Sequence, residues 1–193
     1  QMDLHAFMKG ITKATWHIER HVDIVPTIFE AYRVATGGEP GPVFIELPVN
    51  LQLFPEEVGE LPRFEPAPRP APADAASIEA AVALLKNARR PGLFVGWGAR
   101  DALAAVTAIA EHLQAPVATT LQGFSGFPAG HPLHCGFSFG PHAVPAARNA
   151  FADCDVLLAV GARFAAIATG SFGAPVPGTL IHVDINPAAL NAN

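Results

Sequence analysis

The chain has few cysteines, no long apolar run and no cluster of basic residues. Its two cysteines, Cys135 and Cys154, form no CxxC pair, which excludes a disulfide framework and a cysteine-based zinc site and fits a reducing cytoplasm. No apolar run reaches the roughly 18 residues of a membrane-spanning helix, so we expect a soluble, globular protein. The formal net charge is −5 and the longest basic run is Arg89-Arg90, which argues against nucleic-acid binding.

Three short apolar runs that each end in a small or acidic residue are the most informative feature present. They are Leu93–Val95 before Gly96, Val156–Val160 before Gly161, and Leu180–Val183 before Asp184. Short apolar runs that alternate with helical patterns are typical of buried parallel strands, and open parallel sheets bind ligands at the carboxyl ends of their strands. Glycine there admits a ligand to the backbone, and a carboxylate can hold a ribose hydroxyl. The pattern therefore predicts a nucleotide-type binding domain.

Prolines divide the chain into two parts. Phe54 to Ala73 contains six prolines and almost no apolar periodicity, which predicts an extended, semi-rigid linker. Before it, the sequence predicts one helix that Asp23 caps and Gly37-Gly38 ends, followed by a strand over residues 42–47. One helix and one strand cannot bury a core, so residues 1–52 look like the end of a larger domain. The alternative is a small subdomain packed on the rest.

After the linker, helical and strand patterns alternate regularly. The predicted order is a helix over 75–90 capped by Asp74, the strand before Gly96, a helix from Asp101, a strand over 116–120, a loop over 121–140, a helix near 143–152, and the strands before Gly161 and Asp184. This repeated βαβ pattern predicts an α/β fold: a doubly wound parallel sheet with helices on both faces.

Six short motifs occur in the order and spacing of one enzyme family. They are Ile11–Lys13, Gly41–Gln52, Ala118–Gly123, His131–Leu133, Leu158–Phe164 and His182–Pro187. Together they closely resemble the acetolactate synthase-like family of thiamine diphosphate (TPP) enzymes, and the resemblance spans essentially the whole chain.

This resemblance implies a domain order and an activity. Residues 1–52 would be the last part of the pyrimidine-binding domain, 53–75 the interdomain linker, and 76–193 most of a Rossmann-like central domain. The full-length parent would add a thiamine diphosphate carbanion to a 2-oxo acid, decarboxylate it and transfer the product to an acceptor, as a cytoplasmic homodimer or homotetramer. The family's Gly-Asp-Gly motif for Mg²⁺ and diphosphate is absent here. We therefore expect this chain alone to be inactive, with no metal ligand of its own.

The resemblance also implies site residues. Lys13 matches a family lysine near the substrate channel, where a cation can steer a carboxylate; the alternative is a solvated loop lysine. The central domain of acetolactate synthases binds FAD in a structural role, and the corresponding positions here are Gly96, Gly98, Thr120, Leu121, Gly161, Arg163, Asp184 and Ile185. The glycines would admit the pyrophosphate, Arg163 would pair with phosphate, and Asp184 would accept from ribose hydroxyls.

Three departures from the family pattern leave FAD, another nucleotide or no ligand as open alternatives. Ala165–Ala168 replaces an Asp-Asp-Arg-Val stretch, and Gly140–Ala143 replaces a Gly-Met-His-Gly loop. Trp97 stands where the family has a glycine that allows close approach. The glycines around Trp97 also lack the third member of a GxGxxG fingerprint.

Other functional classes receive weaker support. Gly136–Gly140 matches a GxSxG nucleophile motif, and Ser138, Asp155 and His182 follow the order of a hydrolase triad. The motif needs a strand directly before the serine, which we do not expect here, and His182 is predicted within a strand. The sequence therefore argues against a serine hydrolase.

A histidine-rich loop and a scaffold role are the remaining alternatives. His131, His134 and Cys135 are candidate metal ligands, but Pro132 excludes a regular helical pair and no acidic partner is close in sequence. We expect a loop role for them. A non-catalytic nucleotide-binding or scaffold module is the third alternative.

Overall fold

A computed structural model describes residues 3–68, 70–190 and 192. The chain divides into two compact units, with the boundary between Ala71 and Pro72. No helix in the described ranges is long and apolar enough to cross a membrane.

In its described residues, the first unit contains four helical segments and a small parallel sheet of two strands. Its elements are α1 (Leu4–Lys9), β1 (Thr15–His17), a 3₁₀ turn (His21–Asp23), α2 (Ile24–Thr36), β2 (Phe44–Glu46) and α3 (Val49–Leu53). β1 and β2 pair in parallel, with Thr15 opposite Phe44 and His17 opposite Glu46. The sequence predicted only α2 and β2. It missed α1, β1 and α3, which are three to six residues long and, unlike β2, do not lie in a continuous apolar run.

The predicted cap of α2 is corrected by the structure. Asp23 holds the N-cap position, but its side chain makes no bond to the helix. Its two carboxylate oxygens instead accept from Nε and Nη2 of Arg20 at 2.8 and 2.9 Å, and these bonds lower the pKa of Asp23. The predicted end of the helix is confirmed, because α2 stops at Thr36 and Gly38 has a φ of +58°, a conformation that favours glycine.

The second unit contains five strands with helices between them. Its elements are α4 (Ala75–Asn87), β3 (Pro91–Val95), a 3₁₀ segment (Trp97–Ala102), α5 (Leu103–Leu113), β4 (Val117–Thr119), a 3₁₀ segment (Gln122–Gly126), β5 (His134–Phe137), α6 (Pro145–Phe151), β6 (Val156–Val160), α7 (Ala166–Thr169), β7 (Thr179–Val183) and a 3₁₀ turn (Pro187–Ala189). The strands form one parallel sheet in the order β5-β4-β3-β6-β7. The predicted α/β fold is confirmed.

Both faces of this sheet are covered. Leu93 and Val95 of β3 point into a core that includes Val106 and Ala110 of α5, with Leu85 of α4 packed against it. The residue between them, Phe94, points to the other face, into a core that includes Phe151 of α6 and Ala168 of α7. β3 and β6 are apolar along their length because both of their faces are buried.

Several local predictions in this unit need correction. Asp74 caps α4 as predicted, accepting from the Ser77 amide at 2.8 Å. Asp101 does not begin α5; it lies inside a 3₁₀ segment, and the α-helix begins at Leu103. The loop predicted over 121–140 contains a 3₁₀ segment and the edge strand β5. β5 escaped detection because it is half-buried and interrupted by Gly136, whose φ is +102°.

Candidate nucleotide site at the carboxyl edge of the sheet

The five-stranded sheet has a topological switch point between β3 and β6. From β3 the chain continues to β4 and β5 on one side, and β6 and β7 lie on the other side. The helices that follow β3 and β6, α5 and α7, therefore pack on opposite faces of the sheet, and the carboxyl edge at such a point is where open α/β sheets bind ligands.

Glycines directly join the loops that follow β3 and β6. The Gly96 amide donates to the Val160 carbonyl at 2.9 Å, and the Gly98 amide donates to the Gly161 carbonyl at 3.2 Å. A Cβ atom on Gly96 would lie 2.0 Å from the Gly161 oxygen, and Gly161 itself has a φ of +59°. The space beside Gly96 and Gly98 is thus filled by the neighbouring loop. A direct contact of these two glycines with pyrophosphate stays a prediction.

A cavity of about 650 Å³ opens beside these loops. Its lining consists of Trp97, Thr120, Gln122 and residues 161–168. The volume falls within the roughly 300–1,000 Å³ of small-molecule sites. The Trp97 ring is 53% exposed and the Ile167 side chain 70% exposed, so the cavity presents apolar surface to a ligand.

The polar groups of the cavity favour an anion. Among its described lining residues, Arg163 is the one charged side chain, and Gln122 adds an exposed amide. Thr120 is buried and its Oγ1 accepts from the Gly123 amide at 2.9 Å, which fixes the turn after β4. A guanidinium group in the lining of a cavity can donate charge-assisted hydrogen bonds to a phosphate group.

The loop after β6 is held in an unusual conformation that presents Arg163. Phe164 has a φ of +51°, which non-glycine residues seldom adopt. Its ring packs 5.5 Å from the Phe94 ring and edge-on to the His182 ring at 5.4 Å. Nε2 of His182 donates to the Ala162 carbonyl at 2.9 Å. Buried aromatic contacts and one hydrogen bond therefore fix the residues on both sides of Arg163.

The cavity brings together three of the eight residues that the sequence predicted for FAD. Thr120, Gly161 and Arg163 line it. Leu121 is exposed beside it, and Asp184 follows β7, where its Oδ1 accepts from the Asn186 amide at 2.9 Å. From the sequence, Gln122 and residues 164–168 are not assigned to the site, although they follow strand ends, which is the signal that could have found them.

Lys13, the predicted catalytic residue, lies in the first unit at the end of α2. Its Nζ donates to the carbonyls of Gly37 and Glu39 at 2.7 and 2.9 Å. A cation at the carboxyl end of a helix is favourable for the helix dipole, so this position gives Lys13 a structural task. Its role near a substrate channel stays a prediction.

A strand directly precedes Ser138, as a nucleophile motif requires, although none is expected there from the sequence. β5 directly precedes it, and its φ is +57°. The residue is nevertheless 2% exposed, and its Oγ accepts from the Gly140 amide at 3.3 Å. His182, the candidate base, donates to a backbone carbonyl instead. A buried serine and an engaged histidine do not support a hydrolase.

The histidine-rich segment does not converge on a metal site in the described part of the chain. Nε2 of His131 lies 3.2 Å from Glu111, an acidic partner from α5 that the sequence did not predict. Nε2 of His134 lies 3.5 Å from the Thr119 hydroxyl, and the Cys135 thiol is directed at the Leu133 carbonyl. The three side chains therefore have separate partners.

Comparison with known families identifies the second unit. Residues 78–193 match the family described as thiamine pyrophosphate enzyme, central domain. The chain belongs to this family. The five-stranded parallel sheet is the expected scaffold of such a central domain, and the cavity at its carboxyl edge is therefore a site within a thiamine pyrophosphate enzyme domain.

Several acetolactate synthases are similar to this chain. The large subunit from Corynebacterium glutamicum is 34% identical over 98% of this chain and 31% of its own length. The probable large subunit from Methanocaldococcus jannaschii is 34% identical over 100% of this chain and 34% of its own. The isozyme 1 large subunit from Escherichia coli is 35% identical over 98% of this chain and 34% of its own length. The chain thus spans about a third of the length of the curated relatives that it matches, and the similarity includes the first unit.

Proposed function

We propose that this chain works as part of a thiamine diphosphate-dependent enzyme of the acetolactate synthase type, which acts on 2-oxo acids. The supporting observation is the similarity to acetolactate synthase large subunits, which runs through both units. Residues 1–52 then form the last part of the pyrimidine-binding domain, 53–75 the linker, and 76–193 the central domain. Bound thiamine diphosphate supplies the carbanion chemistry. The protein binds and orients the cofactor and the substrate, and it excludes water from them.

In this proposal thiamine diphosphate and Mg²⁺ are held by residues outside the chain, so the chain alone is inactive. The complete enzyme is a cytoplasmic homodimer or homotetramer that binds neither nucleic acid nor membrane. Exposed apolar side chains of the first unit support assembly. Val49, Leu53 and Phe54 are each at least 65% exposed around α3, and apolar area of this kind is usually covered by another domain or subunit.

The cavity of the central domain binds a nucleotide in this proposal, and FAD is the one that the family resemblance implies. Arg163 and Gln122 provide donors for the phosphates, and the exposed Trp97 ring provides a surface for stacking. In this proposal the nucleotide has a structural role, as the family resemblance implies. The ligand would tie the loop after β3 to the loop after β6.

The activity is tested on the full-length gene product with thiamine diphosphate and Mg²⁺, by identifying products from a panel of 2-oxo acids. We expect carbon dioxide release and a condensation product, with pyruvate as the first donor and acceptor to try. The 193-residue chain serves as the control and should show no turnover. Failure to consume any 2-oxo acid in the presence of both cofactors would contradict the proposal.

The nucleotide site is tested by titrating FAD into the chain and into Arg163→Gln, with flavin fluorescence as the signal. A charge-assisted hydrogen bond contributes about 1.5–3 kcal/mol when sheltered, so for the exposed Arg163 we expect a loss of about tenfold in affinity. Arg148→Gln on α6 changes an exposed arginine outside the cavity and should bind as before. If both variants bind FAD equally well, Arg163 has no part in the site.

A further inference from the structure

Two histidines and a glutamate meet in the first unit, whereas the cavity described above belongs to the second unit. His17 and Glu46 are the last residues of β1 and β2 and are direct partners in the parallel pairing. Partners in register point to the same face of a sheet. α1 places His5 on this face, where its ring meets the Phe44 ring edge-on at 5.5 Å. The cluster therefore lies at the carboxyl ends of two parallel strands.

Two of the three spacings between these side chains match those of a tetrahedral metal centre. Nε2 of His5 lies 3.1 Å from Oε2 of Glu46, and Nδ1 of His17 lies 3.5 Å from the same oxygen. One ligand atom from each residue can be chosen so that all three lie within 4.8 Å of one another. Zinc binds nitrogen and oxygen ligands at about 2.0–2.2 Å, which places tetrahedral ligand atoms roughly 3.4 Å apart.

A second observation points to a ligand between these groups. Nε2 of His5 is buried and makes no hydrogen bond within the described residues, although it is 3.1 Å from a carboxylate oxygen. The two atoms are close, but they are not aligned for a hydrogen bond. The buried Nε2 of His5 is therefore unsatisfied, which is energetically unfavourable. A cation bound to both atoms would satisfy the nitrogen lone pair and the carboxylate together.

We propose that His5, His17 and Glu46 bind a zinc ion. Two imidazoles and one carboxylate are a donor set that zinc sites use, and three protein ligands leave the fourth position for water. The side chains are 29%, 44% and 34% exposed, so an ion can enter from solvent. The bound ion joins α1 to both strands of the small sheet and thereby stabilises the first unit.

Metal binding is measured on the chain without a purification tag, after chelator treatment, by competition with a chromophoric zinc chelator and by the visible absorption of Co²⁺. We expect one zinc per chain and Co²⁺ bands of a four-coordinate site. His17→Gln and Glu46→Gln should each weaken binding by more than the roughly tenfold that loss of an outer-sphere partner costs. Zinc should also raise the unfolding temperature of the original chain but not of these variants.

His21→Gln is the matched control, because His21 lies 2.7 Å from Glu56 in the same unit and belongs to no three-ligand group among the described residues. It should bind zinc like the original chain. Absence of zinc binding, unchanged binding in the His17 and Glu46 variants, or an equal loss in His21→Gln would each overturn the proposal and leave an ordinary histidine–glutamate ion pair. If His17→Gln fails to fold by circular dichroism, His5→Gln, which leaves the sheet unchanged, replaces it.

Discussion

At the scale of single residues, Gly96 and Gly161 determine the geometry of the carboxyl edge. The sequence predicted special glycines at these positions because they follow apolar strands. It assigned them to the approach of a ligand, whereas in the structure they allow two loops to approach each other. The position of such a glycine can be predicted from the strand before it. The group that it contacts cannot, because Gly161 follows another strand and lies 65 positions later in the chain.

Replacing Gly96 with alanine should destabilise the central domain by about 3 kcal/mol, because the new Cβ would lie 2.0 Å from the Gly161 oxygen and no flexible side chain can move aside. Urea unfolding followed by circular dichroism measures this change. Gly130→Ala is the control, since nothing lies within 4 Å of its Cβ position, and it should change the free energy of unfolding by less than about 0.5 kcal/mol. Equal stability of the two variants would contradict the described contact between the loops.

The two cysteines also illustrate what residue type alone leaves open. The sequence indicated that they form no disulfide framework, and both are free in the structure. Burial, reinforced by the charge of Asp155, raises the pKa of the Cys154 thiol to about 11. A thiol of this kind is almost entirely protonated at neutral pH and reacts slowly. Its inertness follows from packing against β3, which no local sequence signal reveals.

At the scale of elements, strands with a continuous apolar run were predictable and short strands without one were not. β3, β6 and β7 coincide with the three apolar runs to within two residues. β3 and β6 are apolar because both of their faces are buried, whereas the edge strand β7 keeps an apolar run although Leu180 and Val183 are exposed. β1 and β5 consist of Thr-Trp-His and His-Cys-Gly-Phe and are only partly buried. Their strand conformation depends on pairing with a neighbour, which is information from elsewhere in the chain.

For the helix α4, the sequence predicted the helix itself but not the contacts that hold it. The apolar spacing of Ile78, Val82 and Leu85 correctly predicted α4, yet Ile78 and Val82 are 51% and 41% exposed. The junction after α4 is instead fixed by Asp155, whose carboxylate accepts from the amides of Arg89 and Arg90 at 2.8 and 3.0 Å. These bonds lower the pKa of Asp155. Periodicity therefore predicted the helix but not the contacts that hold its end to β6.

At the scale of the whole molecule, the proline-rich segment is more than a linker, because part of it packs against the first unit. Residues 54–74 hold no helix or strand in their described part, as predicted for an extended segment. The Phe64 ring nevertheless packs edge-on against Phe29 and Tyr32 of α2, with centroids 5.2 and 5.4 Å away. The segment up to this ring therefore contributes to the stability of the first unit, and the boundary between the units falls later, after Ala71.

Phe64→Ala should consequently weaken the first unit and leave the second unchanged. Loss of two aromatic pairs costs about 2 kcal/mol, which corresponds to roughly 30-fold faster exchange of amides that open with the first unit. Hydrogen exchange read by mass spectrometry resolves the two units in one sample. Phe124→Ala is the matched variant, because the Phe124 ring contacts His134 and Phe137 at 6.3 and 6.5 Å within the second unit and is similarly exposed. It should accelerate exchange there alone. If Phe64→Ala accelerated exchange equally in both units, the chain would open as one cooperative body, and the proline-rich segment would have to transmit stability between the units as well as connect them.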